Sequence, residues 1–185
     1  TTTPNDTSAA SEVYKRQKIY QAHSYGVNEK GWLDLDAIED QATKIKPKMI
    51  IAGASAYSRQ IYWKDFREIA DKVGAYLLCD MAHYSGLIAG GHYDNPVHYA
   101  DVVTSTTHKT LRGPRGGIML WENDDYTKKL NSAIFPGTQG GPLMNMIAAK
   151  AQAFKEANTT DFTQYIEKVI NLSLIHISEP TRHLD

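Results

Sequence analysis

Short apolar runs alternate with amphipathic stretches along most of the chain. The runs predict strands because they are brief, rich in branched and aromatic residues, and bounded by Gly, Pro or Asp. They lie at Lys48–Gly53, Ala75–Cys79, Asp101–Ser105 and Gly117–Trp121, after an extended segment at Lys18–Val27. The Lys48–Gly53 run is continuous rather than alternating, which is typical of a strand buried on both faces.

Helical periodicity fills the intervals between these runs. Asp34 is placed to cap a helix whose apolar face ends near Ile45, before Pro47. Trp63–Val73 is a second amphipathic helix that Gly74 would end. A helix begins at Asp124–Leu130, and a longer one carries the apolar positions Met144, Ile147, Ala148, Ala151 and Phe154. This alternation predicts an α/β fold with a mostly parallel sheet and helices on both faces.

The two ends of the chain do not follow this pattern. Glu12–Gln17 and Ser173–Arg182 resemble translated sequencing-adapter sequence. We therefore expect residues 18–170 to form the domain, residues 1–17 to be a non-native or disordered tail, and residues 171–185 to be a non-native tail.

Composition narrows the class of protein. The chain has 185 residues, of which 42% are hydrophobic and 22% charged, which is ordinary for one globular domain or part of a larger one. The net charge of −1 argues against nucleic acid as a partner, and the lack of an apolar run near 20 residues argues against a membrane span. The lone Cys79 cannot form an internal disulfide, so a cytoplasmic location is expected, and no metal site is predicted.

Two candidate reactive groups follow predicted strands. Asp80 ends one strand, and Lys109 comes 29 residues later, about one strand–crossover–strand unit along the chain. Ligands of such folds lie beyond the carboxyl ends of the strands, where Ser55 is also expected. A carboxylate facing a pyridine nitrogen and a lysine facing an aldehyde are what pyridoxal phosphate requires. The alternatives are a partly buried Asp80 that caps the next helix and a Lys109 that is merely a surface residue.

Other polar residues near these two admit both a structural and a functional interpretation. The hydroxyls of Thr104–Thr107 are able to donate to a phosphate or to satisfy the backbone at a strand end. His108 and Arg115 are close enough in sequence to shape the surroundings of Lys109. His83 would share a face with Asp80 if the segment between them is helical, and Gly140-Gly141 would let a phosphate approach the backbone.

Taken together, four segments resemble serine hydroxymethyltransferase over about residues 18–170. They are Ala54–Ser58, Asp80–His83, Thr106–Gly117 and Phe135–Pro142. The resemblance implies part of the large domain of a fold-type I pyridoxal-phosphate enzyme, active as a homodimer or a dimer of dimers. The implied reaction, which belongs to one-carbon metabolism, is reversible transfer of the serine hydroxymethyl carbon to tetrahydrofolate, giving glycine and methylenetetrahydrofolate.

The resemblance also implies a role for each candidate residue. Lys109 would hold pyridoxal 5'-phosphate covalently, and Asp80 would pair with the ring nitrogen. Ser55 and His83 would contact the side of the ring that carries the phenolic oxygen. Gly140 and Gly141 would reach the cofactor phosphate of the neighbouring subunit. The remaining residues would shape the site around Lys109 or contact the cofactor; they are Thr106, His108 and Arg115.

The chain departs from the family pattern at a few positions and in its extent. Tyr84-Ser85 stands where smaller apolar residues are common, and Thr138 stands where Gly is common. The family's upstream phosphate-binding loop, ring-stacking His and catalytic Glu cannot be placed in the sequence, nor can the Arg that holds the substrate carboxylate. We therefore expect an internal fragment that is inactive and poorly soluble on its own.

Two alternatives to this interpretation stay open. Asp80 and Lys109 alone would also suit another fold-type I enzyme, such as a threonine aldolase or an aminotransferase. A non-catalytic remnant of the fold is the third possibility, although both residues are intact.

The expectation about the two ends is tested by the gene itself. We expect the genomic reading frame to encode residues 18–170 continuously and to differ from this chain in residues 12–17 and 173–182. Sequencing the locus checks this, and an uninterrupted genomic frame that encodes both strings would contradict it.

Overall fold

The computed structural model describes residues 20–178, so the predicted tail 1–17 lies outside the described residues. The described chain divides into two compact units, one ending at Ile38 and the other beginning at Glu39. In the first unit the predicted extended segment contributes an isolated antiparallel bridge between Val27 and Leu33, with Gly31 in the turn at a φ of 74°. The predicted boundary after residue 170 falls inside the last helix.

Six helices lie in the described chain. The Asp34 side chain caps the N-terminus of the first helix, because its Oδ1 accepts a hydrogen bond from the Ala37 N–H at 3.1 Å. Gly74 ends the second in the left-handed conformation, with a φ of 71°, as predicted. The helices are α1 (Leu35–Ile45), α2 (Trp63–Val73), α3 (Ser85–Ala89), α4 (Thr127–Ile134), α5 (Met144–Ala157) and α6 (Thr160–Ser178). Between residues 20 and 178, none of them is both long and apolar enough to cross a membrane.

The four predicted apolar runs form one four-stranded sheet. Its strands are β1 (Met49–Gly53), β2 (Tyr76–Asp80), β3 (Val102–Thr106) and β4 (Gly117–Leu120), in that spatial order. β1, β2 and β3 are parallel, and β4 pairs antiparallel with β3. The α/β class with a mostly parallel sheet is therefore confirmed.

The structure differs from the sequence expectation in how the strands are covered. Ile50 and Ala52 of β1 are buried, whereas Met49 and Ile51, which alternate with them, are 46% and 52% exposed. Tyr76, which pairs with Met49, is 54% exposed on the same face. One face of the sheet is packed and the other, which we call the open face, is bare over β1 in the described chain. A continuous apolar run shows only which side-chain types are present. It does not show which helix or loop covers each face of the strand.

Two apolar clusters support the sheet and the loop that follows β3. Trp63, Phe66, Ile69 and Ala70 are buried on α2, which contacts β1 and β2. A second cluster joins that loop to α5 and α6 through Leu111, Ala157, Phe162 and Ile166. Cys79 is fully buried in β2, and this burial raises the pKa of its thiol to about 12. The thiol therefore stays protonated and acts as a small apolar group.

A carboxylate that the sequence did not single out ties α2 to the sheet. Asp101 Oδ2 accepts hydrogen bonds from the Leu77 N–H at 2.7 Å and from Arg67 at 2.9 Å. Its Oδ1 accepts one from the Tyr126 hydroxyl at 3.0 Å. Arg67 also donates to the Ala75 carbonyl at 3.2 Å. One side chain therefore holds α2, the start of β2, the start of β3 and the 3-10 turn Asp124–Tyr126 together.

The hydrogen bonds of Asp101 outweigh the cost of its burial. Burial alone would raise the pKa of this carboxyl, but the bonds from Leu77, Arg67 and Tyr126 and the charge of Arg67 hold it below its ordinary value. A carboxyl whose pKa is lower in the folded chain stabilises the fold above its unfolded pKa, about 4. That contribution is lost as the pH falls through the lower, folded pKa.

We expect Asp101→Asn to destabilise the chain by about 2 kcal/mol at pH 7, because it removes hydrogen bonds to a charged acceptor. The difference from the unsubstituted chain should shrink as the pH falls below about 4, because Asp101 then takes up a proton in the unfolded chain before it does so in the folded one. Urea unfolding between pH 3 and pH 7 measures both effects. Asp40→Asn, at an exposed position of α1, is the matched control and should change stability little. A difference that is the same at pH 3 and pH 7 would contradict this account.

Candidate active site

The candidate residues gather at one edge of the sheet because three strands run in the same direction. Gly53, Asp80 and Thr106 are the last residues of β1, β2 and β3, so all three lie at the carboxyl edge. Ser55 is two residues beyond β1 and Lys109 three residues beyond β3. The structure therefore brings their segments to the same edge, as the sequence predicted.

Close approach of β1 to β2 shapes the floor of this edge. Gly53 pairs with Asp80, and a Cβ added to Gly53 would lie 2.5 Å from the Asp80 carbonyl oxygen. Its φ of 153° is also one that other residues rarely adopt. Since Gly53 has no side chain, the surface beside Asp80 stays flat and accessible from the open face.

Asp80 is exposed, so the expectation that it is partly buried is wrong. It belongs to the open face, where no described side chain covers it. Its Oδ1 accepts a hydrogen bond from the Ala82 N–H at 2.9 Å, which holds the turn before α3. The alternative that Asp80 caps the next helix is wrong, because α3 has Tyr84 at its N-cap and no side-chain cap, and Asp80 bonds only the turn before it. Its Oδ2 has no hydrogen-bond partner within residues 20–173, and this oxygen is available to a cation.

Lys109 contacts His83 at the carboxyl edge. The distance from Lys109 Nζ to His83 Nε2 is 2.8 Å. The side chain of Lys109 is exposed, as the surface alternative considered for it requires. The segment from Asp80 to His83 is a turn rather than a helix, yet it still brings His83 to the lysine.

His83 is held in its neutral form by its surroundings. Burial is the main cause that lowers the pKa of His83, and the nearby positive charge of Lys109 lowers it further. The negative charge of Asp80 opposes both effects. A neutral imidazole whose Nε2 carries no proton accepts a hydrogen bond from the Lys109 ammonium. His83 therefore serves as a hydrogen-bond acceptor for the Lys109 amine near neutral pH.

His108 and Arg115 contact each other and make no hydrogen bond to Lys109 within the described chain. The Arg115 guanidinium is 3.1 Å from His108 Nε2, and the Gly116 N–H is 3.4 Å from His108 Nδ1. A neutral imidazole accepts at one ring nitrogen only, so the shorter contact is the true hydrogen bond. The positive charge of Arg115 is directed to His108 and not to Lys109.

The hydroxyls at the end of β3 and directly after it divide into two kinds. Ser105 donates to the Thr106 carbonyl at 2.9 Å, and Thr107 donates to the Pro114 carbonyl at 2.5 Å. These two satisfy the backbone, which was one of the two interpretations of the run. Thr106 Oγ1 is instead buried without a hydrogen-bond partner in the described part of the chain. By strand alternation Thr106 points to the same face as Thr104, the partner of Asp80, so its hydroxyl is a free donor beside the site.

The loop after Lys109 is held from α5 and α6 by residues that sequence reasoning missed. Arg112 has a φ of 63°, and its guanidinium lies 4.5 Å from the centre of the Tyr165 ring. Lys150 donates to the Gly117 carbonyl at 2.9 Å. Neither residue shows a sequence signal, because each acts across more than 30 residues of chain on a partner that periodicity does not reveal. Helices far along the chain therefore fix the loop that carries Lys109.

Gly140 and Gly141 lie in the exposed loop between α4 and α5. A Cβ added to either would meet no atom within 4 Å. The structure gives them no contact with Lys109 or Asp80, so their predicted role toward a neighbouring subunit stays a prediction. Across the described residues, no group of three or more His, Cys, Asp or Glu side chains is arranged to hold a metal ion.

The chain is similar to known proteins over most of its length. A family model described as serine hydroxymethyltransferase matches residues 4–179. A serine hydroxymethyltransferase of Dichelobacter nodosus (strain VCS1703A) is 61% identical over 161 residues, which cover 86% of this chain. The same alignment covers 39% of that relative, so the chain matches well under half of its length. With the family model matching nearly all of the chain and a lysine, an aspartate and a histidine assembled at the carboxyl edge, the chain belongs to the serine hydroxymethyltransferase family.

Proposed function

We propose that the protein containing this chain transfers the hydroxymethyl carbon of serine reversibly to tetrahydrofolate, with pyridoxal 5'-phosphate as its cofactor. The products in that direction are glycine and 5,10-methylenetetrahydrofolate. The observation that carries the proposal is the exposed Lys109 amine beside His83, at the same sheet edge as a carboxylate oxygen of Asp80 that has no partner within the described residues. The similarity to a relative named serine hydroxymethyltransferase supports the choice of reaction.

The described residues fit pyridoxal phosphate in three respects. An exposed primary amine is present at Lys109, an available carboxylate oxygen at Asp80 and an unpaired hydroxyl at Thr106. Gly53 leaves space beside Asp80 that any Cβ would fill. When bound, the cofactor supplies an electron-accepting ring that stabilises the negative charge left when the hydroxymethyl carbon departs.

Each residue of the chain then has a defined task. Lys109 would hold the cofactor through its amine, and the negative charge of Asp80 would favour a protonated ring nitrogen. Neutral His83 accepts a hydrogen bond from the Lys109 amine and, with Ser55, would contact the side of the ring that carries the phenolic oxygen. His108 acts through Arg115 on the loop that carries Lys109.

The remaining candidates would contact the cofactor through a hydroxyl or the backbone. Thr106 would donate its unpaired hydroxyl to the cofactor. In a homodimer or a dimer of dimers, Gly140 and Gly141 would offer open backbone to the cofactor phosphate of a neighbouring subunit. A cytoplasmic location fits the single buried thiol at Cys79.

The role of Lys109 is tested by reductive trapping. Treating the chain with pyridoxal phosphate and then borohydride should place the covalent label on Lys109, because its amine lies beside the neutral imidazole of His83 and at the same sheet edge as Asp80. Peptide mass spectrometry locates the label. Lys109→Arg should abolish it, whereas Lys129→Arg, at an exposed position of α4, should leave it unchanged. A label spread evenly over surface lysines would overturn the assignment and support the non-catalytic remnant.

The role of Asp80 is tested in the whole protein from which the chain comes. Asp80→Asn should still be labelled at Lys109 but should lower the rate of folate-dependent glycine formation from serine by about a hundredfold, because the ring nitrogen loses its charged partner. Asp40→Asn is the control and should keep full activity. Glycine formation that does not require tetrahydrofolate would favour an aldolase, and an Asp80→Asn rate equal to that of the control would refute the proposed role.

A further inference from the structure

Thr110, the residue after Lys109, is bonded twice to the segment that carries His83. Its Oγ1 donates a hydrogen bond to the His83 carbonyl at 3.0 Å. The same oxygen accepts one from the Gly86 N–H at 2.9 Å. The hydroxyl thus uses its donor and an acceptor at once, and it bridges the loop after β3 to the start of α3.

The backbone of the same loop also lies directly against α3. A Cβ added to Gly86 would be 2.1 Å from the Thr110 carbonyl oxygen and 2.8 Å from its Cβ. No side chain fits at those distances, so the approach exists only because residue 86 is glycine. Gly86 is buried and the hydroxyl of Thr110 fills the remaining space.

These contacts join Lys109 and His83 a second time. The first link is the contact of Lys109 Nζ with His83 Nε2, and the second runs from the Thr110 hydroxyl to the His83 backbone. The free energy gained from one hydrogen bond at an exposed lysine is about equal to the cost of fixing the rotamers of that side chain. The side-chain contact therefore depends on a backbone that is already fixed at Lys109.

We propose that Thr110 is a positioning residue, which with Gly86 fixes the backbone of Lys109 so that its amine stays within hydrogen-bond reach of His83. The importance of Thr110 for the reaction rests on the proposed function. The hydrogen bonds of Thr110 are observed whether or not that function is correct. Thr110 touches neither the amine nor the imidazole ring, so it acts only through the two residues beside it.

The proposal is tested through the protonation of His83, which needs no cofactor. The charged groups that act on His83 are Lys109 and Asp80, and the positive charge of Lys109 favours the neutral imidazole. Diethyl pyrocarbonate acylates the neutral form, so the rate of His83 labelling against pH gives its midpoint. The labelling is followed by peptide mass spectrometry on the whole protein without pyridoxal phosphate.

Thr110→Val replaces the hydroxyl by a methyl group of similar size. We expect the His83 midpoint to rise toward the ordinary histidine value of about 6.5, because Lys109 is released from the ring. Thr110→Ser keeps the hydroxyl and should restore the original midpoint. Thr138→Val is the matched control, since Thr138 also donates to a backbone carbonyl, that of Ala133 at 3.1 Å, in another loop.

The results separate this proposal from the proposed function. A folded Thr110→Val protein with an unchanged His83 midpoint would overturn the positioning role, whatever the cofactor experiment shows. An equal shift in Thr138→Val would overturn it as well. If Thr110→Val does not fold, hydrogen exchange at the Gly86 amide of the unsubstituted protein decides. Slow exchange supports the hydrogen bond from the Gly86 amide to Thr110 and hence the positioning role. Exchange as fast as that of an unprotected loop amide refutes that role.

Discussion

Parallel pairing of β1, β2 and β3 places Ser55, Asp80, Thr106 and Lys109 at one edge. The register aligns Gly53 with Asp80 and Asp80 with Thr104, so the ends of these strands are side by side. A shift of one residue in any strand would turn its side chains to the other face, taking Asp80 or Thr106 away from the open face. The Asp101 network holds this alignment, because it bonds the start of β3 to the start of β2 and both to α2.

Two different kinds of contact then complete the site. Along β1 and β2, absence of a side chain at Gly53 clears the surface beside Asp80. Beyond β3, the loop is fastened on one side by the Thr110 hydroxyl and on the other by Arg112 against Tyr165. The amine of Lys109 is exposed, yet contacts of Thr110 and Arg112 hold the backbone that carries it. Such a combination suits a group that must stay accessible to a ligand and still meet it in one geometry.

Much of this could be predicted from the sequence because it is local. Asp34 marks the start of one helix and Gly74 the end of another through contacts within a few residues. The apolar runs identified all four strands. The meeting of Ser55, Asp80 and Lys109 at one edge followed from strand direction alone.

The rest could not be predicted because it depends on partners far along the chain. The exposure of Asp80 and of one face of β1 depends on which helices and loops cover them. The pattern of hydrophobic residues along the chain does not show which elements those are. Asp101 looked like the polar first residue of a strand, although Arg67 and Tyr126 make it a junction of four segments. Thr110 looked like one more hydroxyl after a strand, since its partners lie 24 and 27 residues earlier.

The central claim is that Lys109 and Asp80 hold the two ends of one cofactor ring at this edge. A crystal structure of the whole protein grown with pyridoxal phosphate tests it most directly. The account predicts continuous density from Lys109 Nζ to the cofactor, with Asp80 Oδ2 within hydrogen-bond distance of the ring nitrogen and Oδ1 still bonded to the Ala82 N–H. A cofactor joined to another lysine, or a ring nitrogen facing a group other than Asp80, would contradict it.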